Sequence, residues 1–282
     1  LSTALLVDVF GRGMPVTLTN QAGSGHYATR TATPSRFAAL RLQQLQRVAE
    51  PGWALDLARA IVRAKLANQR ALLASSGWAA APAAVAQLDT AAAALDSADS
   101  LDSLRGYEGA GAAAYFGAWR TTLGPAWGFA GRAFFPAPDP VNALLSFGYA
   151  LLMNDVQSAV QIAGLDPYLG VFHAVEDGRP SLALDLMEPF RPLVVDRLVL
   201  ELLAGGQLRR EQFAPSDRRA GGVDLDAGAR AMLITRYEAA MQAPAPLPTG
   251  EQTPLRRVLL LQAYAVARQI GGEQASYQGY TT

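Results

Sequence analysis

Residues 139–164 read Asp139-Pro-Val-Asn-Ala-Leu-Leu-Ser-Phe-Gly-Tyr-Ala-Leu-Leu-Met-Asn-Asp-Val-Gln-Ser-Ala-Val-Gln-Ile-Ala-Gly164. This stretch predicts a long helix with both ends marked. Asp139 can cap it, Pro140 fits a first turn where no backbone N–H is needed, and Gly164 ends it. Leu144, Leu145, Phe147, Leu151, Leu152, Val156, Val160 and Ile162 surround much of its circumference, so the helix is expected to be central and buried.

Working outward, the helical period holds on both sides. Residues 36–50 and 53–75 carry apolar positions at i, i+3 and i+4. Residues 76–100 are mostly Ala, Ser and Asp, read as helical segments with variable joins. Residues 104–121 form a helix, 123–138 an aromatic and proline-rich loop, and 191–203 an amphipathic helix. Residues 211–225 read as a polar linker. Helices at 226–241 and 253–270 close the chain, separated by the proline-rich 243–248. Only residues 1–32 look like β structure: the run Met14-Pro-Val-Thr-Leu-Thr-Asn20 can pair with His26-Tyr-Ala-Thr-Arg-Thr31, after a short helix. The fold class is therefore α+β but mainly α, with a small β domain over 1–32 and a helical domain over 33–282.

The chain has 282 residues, room for a large core. Its formal net charge is zero, so no overall field draws it to nucleic acid. Of its 24 basic residues only Lys65 is a lysine. Guanidinium forks suit phosphate; codon use in a genome rich in G and C gives the same bias. With no cysteine, disulfides and thiolate metal sites are excluded, and a cytoplasmic location is expected. No apolar run reaches the roughly 18 residues of a membrane helix. The first residues lack the basic start of a signal peptide. The chain opens at Leu1 within what reads as an element, as expected of a piece of something longer.

Three side chains stand out. Glu108 lies in Gly106-Tyr-Glu-Gly-Ala-Gly111, His173 ends Leu169-Gly-Val-Phe-His173, and Glu188 lies in Leu182-Ala-Leu-Asp-Leu-Met-Glu-Pro-Phe-Arg-Pro192. Two carboxylates and an imidazole can make an open site for a divalent cation, leaving positions for phosphate. Each also has a plainer reading. His173 suits a satisfied core histidine, and Glu188 an acid near a helix start. Gly109-x-Gly111-x-x-Ala114 has the outline of a dinucleotide fingerprint but lacks the strand before it and the acid after it, so close helix packing explains it better. Asp185 and Glu188 are three apart, yet Pro189 opposes a regular helix there, so either the 185–188 stretch is a distorted turn or the helix proper starts at Pro189. Arg59, Arg63, Lys65 and Arg70 share a helix, and Arg209-Arg210 with Arg218-Arg219 form a second basic set; a solvated face is the default for both.

The order of these segments is more specific than any one of them. The 139–152 run, Gly164-Leu-Asp-Pro-Tyr-Leu-Gly-Val-Phe-His173 and Arg179-Pro-Ser-Leu-Ala-Leu-Asp-Leu-Met-Glu188-Pro-Phe-Arg-Pro192 closely resemble the CRISPR spacer-acquisition integrases, the Cas proteins numbered one. Ala60-Ile-Val-Arg-Ala-Lys-Leu-Ala-Asn-Gln-Arg-Ala-Leu-Leu73 and Glu108-Gly-Ala-Gly-Ala-Ala-Ala-Tyr-Phe116 are similar to the same family. The resemblance implies an N-terminal β domain before a helical catalytic domain. It places Mg²⁺ or Mn²⁺ on Glu108, His173 and Glu188. Asp185 falls at a neighbouring acidic position, as a residue behind the ligands or one facing DNA; Asn142 and Tyr115 fall at motif positions nearby.

The implied activity is metal-dependent cutting and joining of DNA in CRISPR adaptation, in which a 3′-hydroxyl of a captured fragment attacks a phosphodiester of the repeat array. The implied partners are double-stranded and branched DNA, a second copy of the chain, and a small ferredoxin-like Cas protein; no membrane is involved. Backbone contacts are expected from Arg59, Arg63, Arg70, Arg191, Arg209 and Arg210. The sequence departs from the family pattern in its short β region, in having one arginine in Gly131-Arg-Ala-Phe-Phe-Pro-Ala-Pro138, and in Pro189. A stand-alone metal nuclease or mobile-element integrase, or a non-catalytic fragment of a fusion protein, are the alternatives.

Overall fold

A computed structural model describes residues 2–12, 14, 16–19, 26–30, 37–217 and 219–282. The chain opens with α1 (Thr3–Gly11), whose first turn is capped by the Ser2 hydroxyl accepting from Leu5 N. The expected hairpin follows, β1 (Val16–Thr19) antiparallel to β2 (His26–Arg30), with Val16 opposite Arg30. Pro15, residues 20–25 between the strands, Thr31, the helix start expected at 36, and Arg218 lie outside the described residues.

Helices then dominate: α2 (Ala38–Val48), α3 (Pro51–Ala74), α4 (Ala81–Ala94), α5 (Leu101–Trp127), α6 (Pro140–Ile162), α7 (Ser181–Met187), α8 (Arg197–Ala204), α9 (Ala227–Gln242) and α10 (Leu255–Ile270). The fold is thus mainly α with few strands, as the periodicity predicts. α6 is the helix at 139–164. Asp139 Oδ1 accepts from Asn142 N at its start, and Leu144, Leu145, Leu152, Val156 and Val160 are buried. No described helix is long and apolar enough to cross a membrane.

Three expectations change. α5 runs on through 123–127, despite Pro125. The proline sits in the last turn, where its missing N–H costs one bond, and Gly128 closes the helix with φ 71° and its N–H on Gly124 O. The linker at 211–225 holds a ribbon, β3 (Phe213–Pro215) on β4 (Val223–Leu225), and the proline-rich separator forms β5 (Pro244–Pro246) on β6 (Gln252–Pro254). Three-residue strands are too short for a period-2 pattern to show in sequence.

Packing groups the chain into two compact units, each discontinuous in sequence. The first comprises Leu1–Ala58, Ala150–Met187 and Arg256–Gln278. Here the Thr17 and Ser158 hydroxyls hydrogen-bond at 2.8 Å, joining the ribbon to α6. Buried Gln44 on α2 donates Nε2 to Asp166 O and Leu169 O and accepts from Asp166 N, fixing the start of the loop that leads to His173.

The second unit comprises Arg59–Tyr149, Glu188–Leu255 and Gly279–Thr282. α5 packs closely on α3 and α4 because Gly111 has no Cβ; one there would sit 2.5 Å from Leu66 Cδ2 of α3 and 3.3 Å from Leu88 Cδ2 of α4. Buried Tyr115 and Trp119 on α5 continue that core, with Phe116 and Phe129 against them. The chain end is built in: Tyr280 stacks on Phe190 with centroids 5.9 Å apart, and Asn68 Nδ2 donates to both Pro189 O and Tyr280 O.

Candidate functional site

In the second unit α5 carries Glu108, α3 carries Lys65, and a turn at Glu188–Pro189 presents Glu188. That turn leads into a π-helical turn over Arg191–Asp196. Asp185 to Met187 stay in regular α7, so the distortion expected over 185–188 falls later, at the Glu188–Pro189 turn and the π-helical turn, where Pro189 and Pro192 each withhold an N–H. Lys65 Nζ lies 2.5 Å from Glu108 Oε1 and 2.5 Å from Glu188 Oε2. Glu188 Oε1 lies 3.0 Å from Arg191 Nε. Lys65 is 9% and Glu188 3% exposed, so these charges are largely out of water. Burial alone would lower the Lys65 pKa; Glu188 and Glu108 beside it outweigh burial and raise it above 10.5.

A second layer holds Arg191. Its guanidinium lies 4.4 Å from the Tyr149 ring centroid. Tyr149 donates its hydroxyl to Asp196 Oδ1 at 2.5 Å, and Tyr115 donates to Asp196 Oδ2 at 2.9 Å. Burial raises the Asp196 pKa from its ordinary value while the two hydroxyls hold it down. Both tyrosine pKa values are pushed well above 10.0, first by burial and then by the charge of Asp196. Asn142 braces the neighbouring strap: its Nδ2 donates to Gly131 O, and its Oδ1 accepts from Ala133 N and Arg132 Nη1.

In the first unit Asp185 on α7 is 0% exposed. Its Oδ2 accepts from Val171 N at 2.7 Å and Phe172 N at 3.0 Å, and its Oδ1 accepts from His173 N at 2.9 Å and pairs with His173 Nδ1 at 2.7 Å. Ser181 Oγ accepts from Gly170 N and donates to Tyr168 O. Gly170 is required by space: a Cβ there would sit 2.5 Å from Ser181 C and 2.7 Å from Asp185 Oδ2. A carboxylate at Nδ1 fixes the tautomer in which Nε2 carries the lone pair, as a metal-binding imidazole needs.

The structure therefore brings Glu108 and Glu188 together on one ammonium, and His173 and Asp185 together in one hydrogen-bonded loop. Among the described residues no group of three or more His, Cys, Asp or Glu forms a ready metal cluster. The acidic pair nonetheless fits a hard divalent ion: its donors are carboxylate oxygens, and they already converge on a positive charge.

The arginines divide. Arg59 spends Nε on Leu95 O and Nη2 on Ala98 O, clasping the turn after α4. Arg63 pairs with Asp96 and Arg70 with Asp89, both at the surface. Arg191 is inside the ion cluster. Arg209 and Arg210 are exposed, and Arg210 Nη1 reaches Ala126 O. Lys65 was grouped by sequence with a solvated basic face. A readable signal pointed the other way: Ile61, Val62, Lys65, Asn68, Gln69 and Leu72 share one helical stripe, and that stripe is buried. Asp196, hidden in an amphipathic pattern, gave no such signal.

The chain is a mainly helical protein with a small β ribbon at its start, an acidic pair held on one ammonium and an oriented histidine, and comparison with known proteins assigns it to a family. The family model described as CRISPR associated protein Cas1 matches residues 1–239, and the chain belongs to this family. A Cas4/Cas1 fusion of Geobacter sulfurreducens is 37% identical over 100% of this chain and 52% of its own length. The CRISPR-associated endonuclease Cas1 1 of Thermus thermophilus is 40% identical over 93% of this chain and 79% of its own. The chain thus spans about half the length of the fusion relative. Among solved structures, a Cas1 protein from Thermotoga maritima superposes with TM-score 0.77 at 23% identity, covering 100% of this chain and 85% of its own. A casposase bound to integration product gives TM-score 0.80 at 19% identity, covering 99% and 81%. At these identities the structures establish the fold.

Proposed function

We propose that this chain is a metal-dependent DNA endonuclease and integrase of CRISPR adaptation, with Glu108, Glu188 and His173 holding Mg²⁺ or Mn²⁺. The observation that carries this reading is the convergence of Glu108 and Glu188 on a single positive charge. Relatives named as endonucleases support the activity, and a casposase bound to integration product supports strand joining on this fold.

A divalent cation bound there supplies Lewis-acid stabilisation of charge on the phosphate and favours ionisation of the attacking hydroxyl. The chain's own residues do the rest. Asp185 fixes the His173 tautomer and ring plane, and the loop amides hold Asp185 in turn. Arg191, stacked on Tyr149, keeps Glu188 in one orientation. In the reaction a DNA 3′-oxygen forms a new bond to phosphorus as the phosphorus bond to the leaving 3′-oxygen breaks, and the proton of the attacking hydroxyl ends on the leaving oxygen. One phosphodiester replaces another, so no external energy source is required. With water as nucleophile the same step is cleavage. Exposed Arg63, Arg70, Arg209 and Arg210 would contact the DNA backbone, with binding that weakens steeply in salt. A second copy of the chain and a small ferredoxin-like Cas protein complete the assembly; a Cas6-RT-Cas1–Cas2 complex contains the same fold at TM-score 0.81 and 24% identity.

The test is a supercoiled plasmid carrying a repeat, incubated with the protein, Mn²⁺ and a short DNA duplex. Insertion at repeat borders that disappears in Glu108→Ala and His173→Ala supports the reading. Equal activity in the mutants would end it, and random nicking alone would reduce it to a nuclease.

A further inference from the structure

The acidic pair is already spanned by a cation, and that cation is part of the chain. Lys65 Nζ is 2.5 Å from an oxygen of each carboxylate, and Arg191 takes the other oxygen of Glu188. The attachment points are fixed. Next to Lys65 on α3, Ala64 packs on Gly279, and Asn68, one turn on, ties α3 to Pro189 O. Glu188 is held by Arg191 on its far side. What can change without disturbing the fold is the unbranched stem of Lys65.

We infer that Lys65 is a tethered counterion that competes with the divalent cation for Glu108 and Glu188. This rests on the metal reading above and deepens it. Two acids facing each other in a largely buried site repel, and an unpaired buried charge is strongly unfavourable. The ammonium relieves that repulsion when no metal is present. A divalent ion brings more charge to the same oxygens but must displace the ammonium from at least one of them. Lys65 thereby keeps the acidic pair assembled while holding metal affinity down, so occupancy responds to the concentration of the ion.

Calorimetric titration of the full chain with Mn²⁺, checked by the loss of free Mn²⁺ signal in electron paramagnetic resonance, tests this. Lys65→Met should bind Mn²⁺ about tenfold or more tightly than wild type, since a positive charge in contact with both ligands has gone. Its metal-free form should melt lower and recover further on adding Mn²⁺. Lys65→Gln, which keeps a donor but no charge, should shift in the same direction and serves if the methionine variant folds poorly. Lys65→Arg should stay near wild type. Wild-type or weaker affinity in both neutral variants, with binding lost in Glu108→Gln, overturns the competition and leaves the metal reading intact. Undiminished binding in Glu108→Gln and Glu188→Gln, or no saturable binding in any chain, overturns both.

Discussion

The two acidic centres of this chain neutralise their carboxylates by opposite means. In the first unit Asp185 on α7 is held by three backbone amides and an imidazole of the 171–173 loop. In the second, Glu108 and Glu188 are held by the ends of two long cationic side chains. Backbone donors cannot leave without unfolding the loop, so Asp185 is a fixed support. An ammonium on a flexible stem can leave, so Glu108 and Glu188 are the acids whose partner can be exchanged. On the proposed metal reading, the difference separates a residue that positions from residues that would bind the ion.

That contrast can be broken in several places. The largest effect is expected on activity: Glu108→Gln should lower Mn²⁺-dependent cleavage by about two orders of magnitude or more, with a far smaller loss of stability than Asp185→Ala. Comparable losses of stability in the two variants would erase the distinction. Asp185→Ala strands buried amides and should cost roughly 3–5 kcal/mol in urea unfolding. The milder Asp185→Asn should weaken Mn²⁺ binding about 10–100-fold through His173. Gly170→Ala forces a methyl onto the α7 backbone and should cost roughly 1–3 kcal/mol, with no change in cleavage once correctly folded protein is counted.

The pH profile sharpens the second centre. The folded chain holds the protons of Lys65, Tyr115 and Tyr149 more tightly than the unfolded chain does. Their contribution to stability is therefore complete below the ordinary values of 10.0 and 10.5 and is lost as pH climbs through and beyond them. Melting temperatures taken from neutral to strongly alkaline pH should fall above that window, less steeply in Tyr115→Phe. The smallest effects belong at the surface. Arg63→Ala and Arg70→Ala remove exposed ion pairs and should each change stability by less than about 1 kcal/mol. Each should reduce the salt dependence of DNA binding by about one unit of slope if it contacts a phosphate; an unchanged slope would remove that arginine from the interface.

Much of this was legible beforehand because it rests on local rules. The cap at Asp139, the apolar stripe of α6, the two short β runs near the start and the break at Pro189 each follow from neighbours a few residues away. The ribbons at 213–225 and 244–254 were not, since three residues leave no period to read. Glu108, His173 and Glu188 were singled out through motif order, but nothing nearby in sequence said what each would face. Lys65 shows the limit most clearly. Its position on a buried stripe was available, yet a lysine beside three arginines reads as solvated until carboxylates from distant segments are placed against it.

The sequence by itself determined the helices, their caps and the kinds of donor available, because propensity, capping and periodicity act over one or two turns. Only the tertiary structure decided which charges meet. Lys65, Glu108 and Glu188 are 43 and 80 residues apart along the chain (108 − 65 and 188 − 108). Their pairing is set by the close approach of α3 and α5 where Gly111 meets Leu66 and by the anchoring of the Pro189 turn through Asn68 and Tyr280, packing in which no local rule takes part.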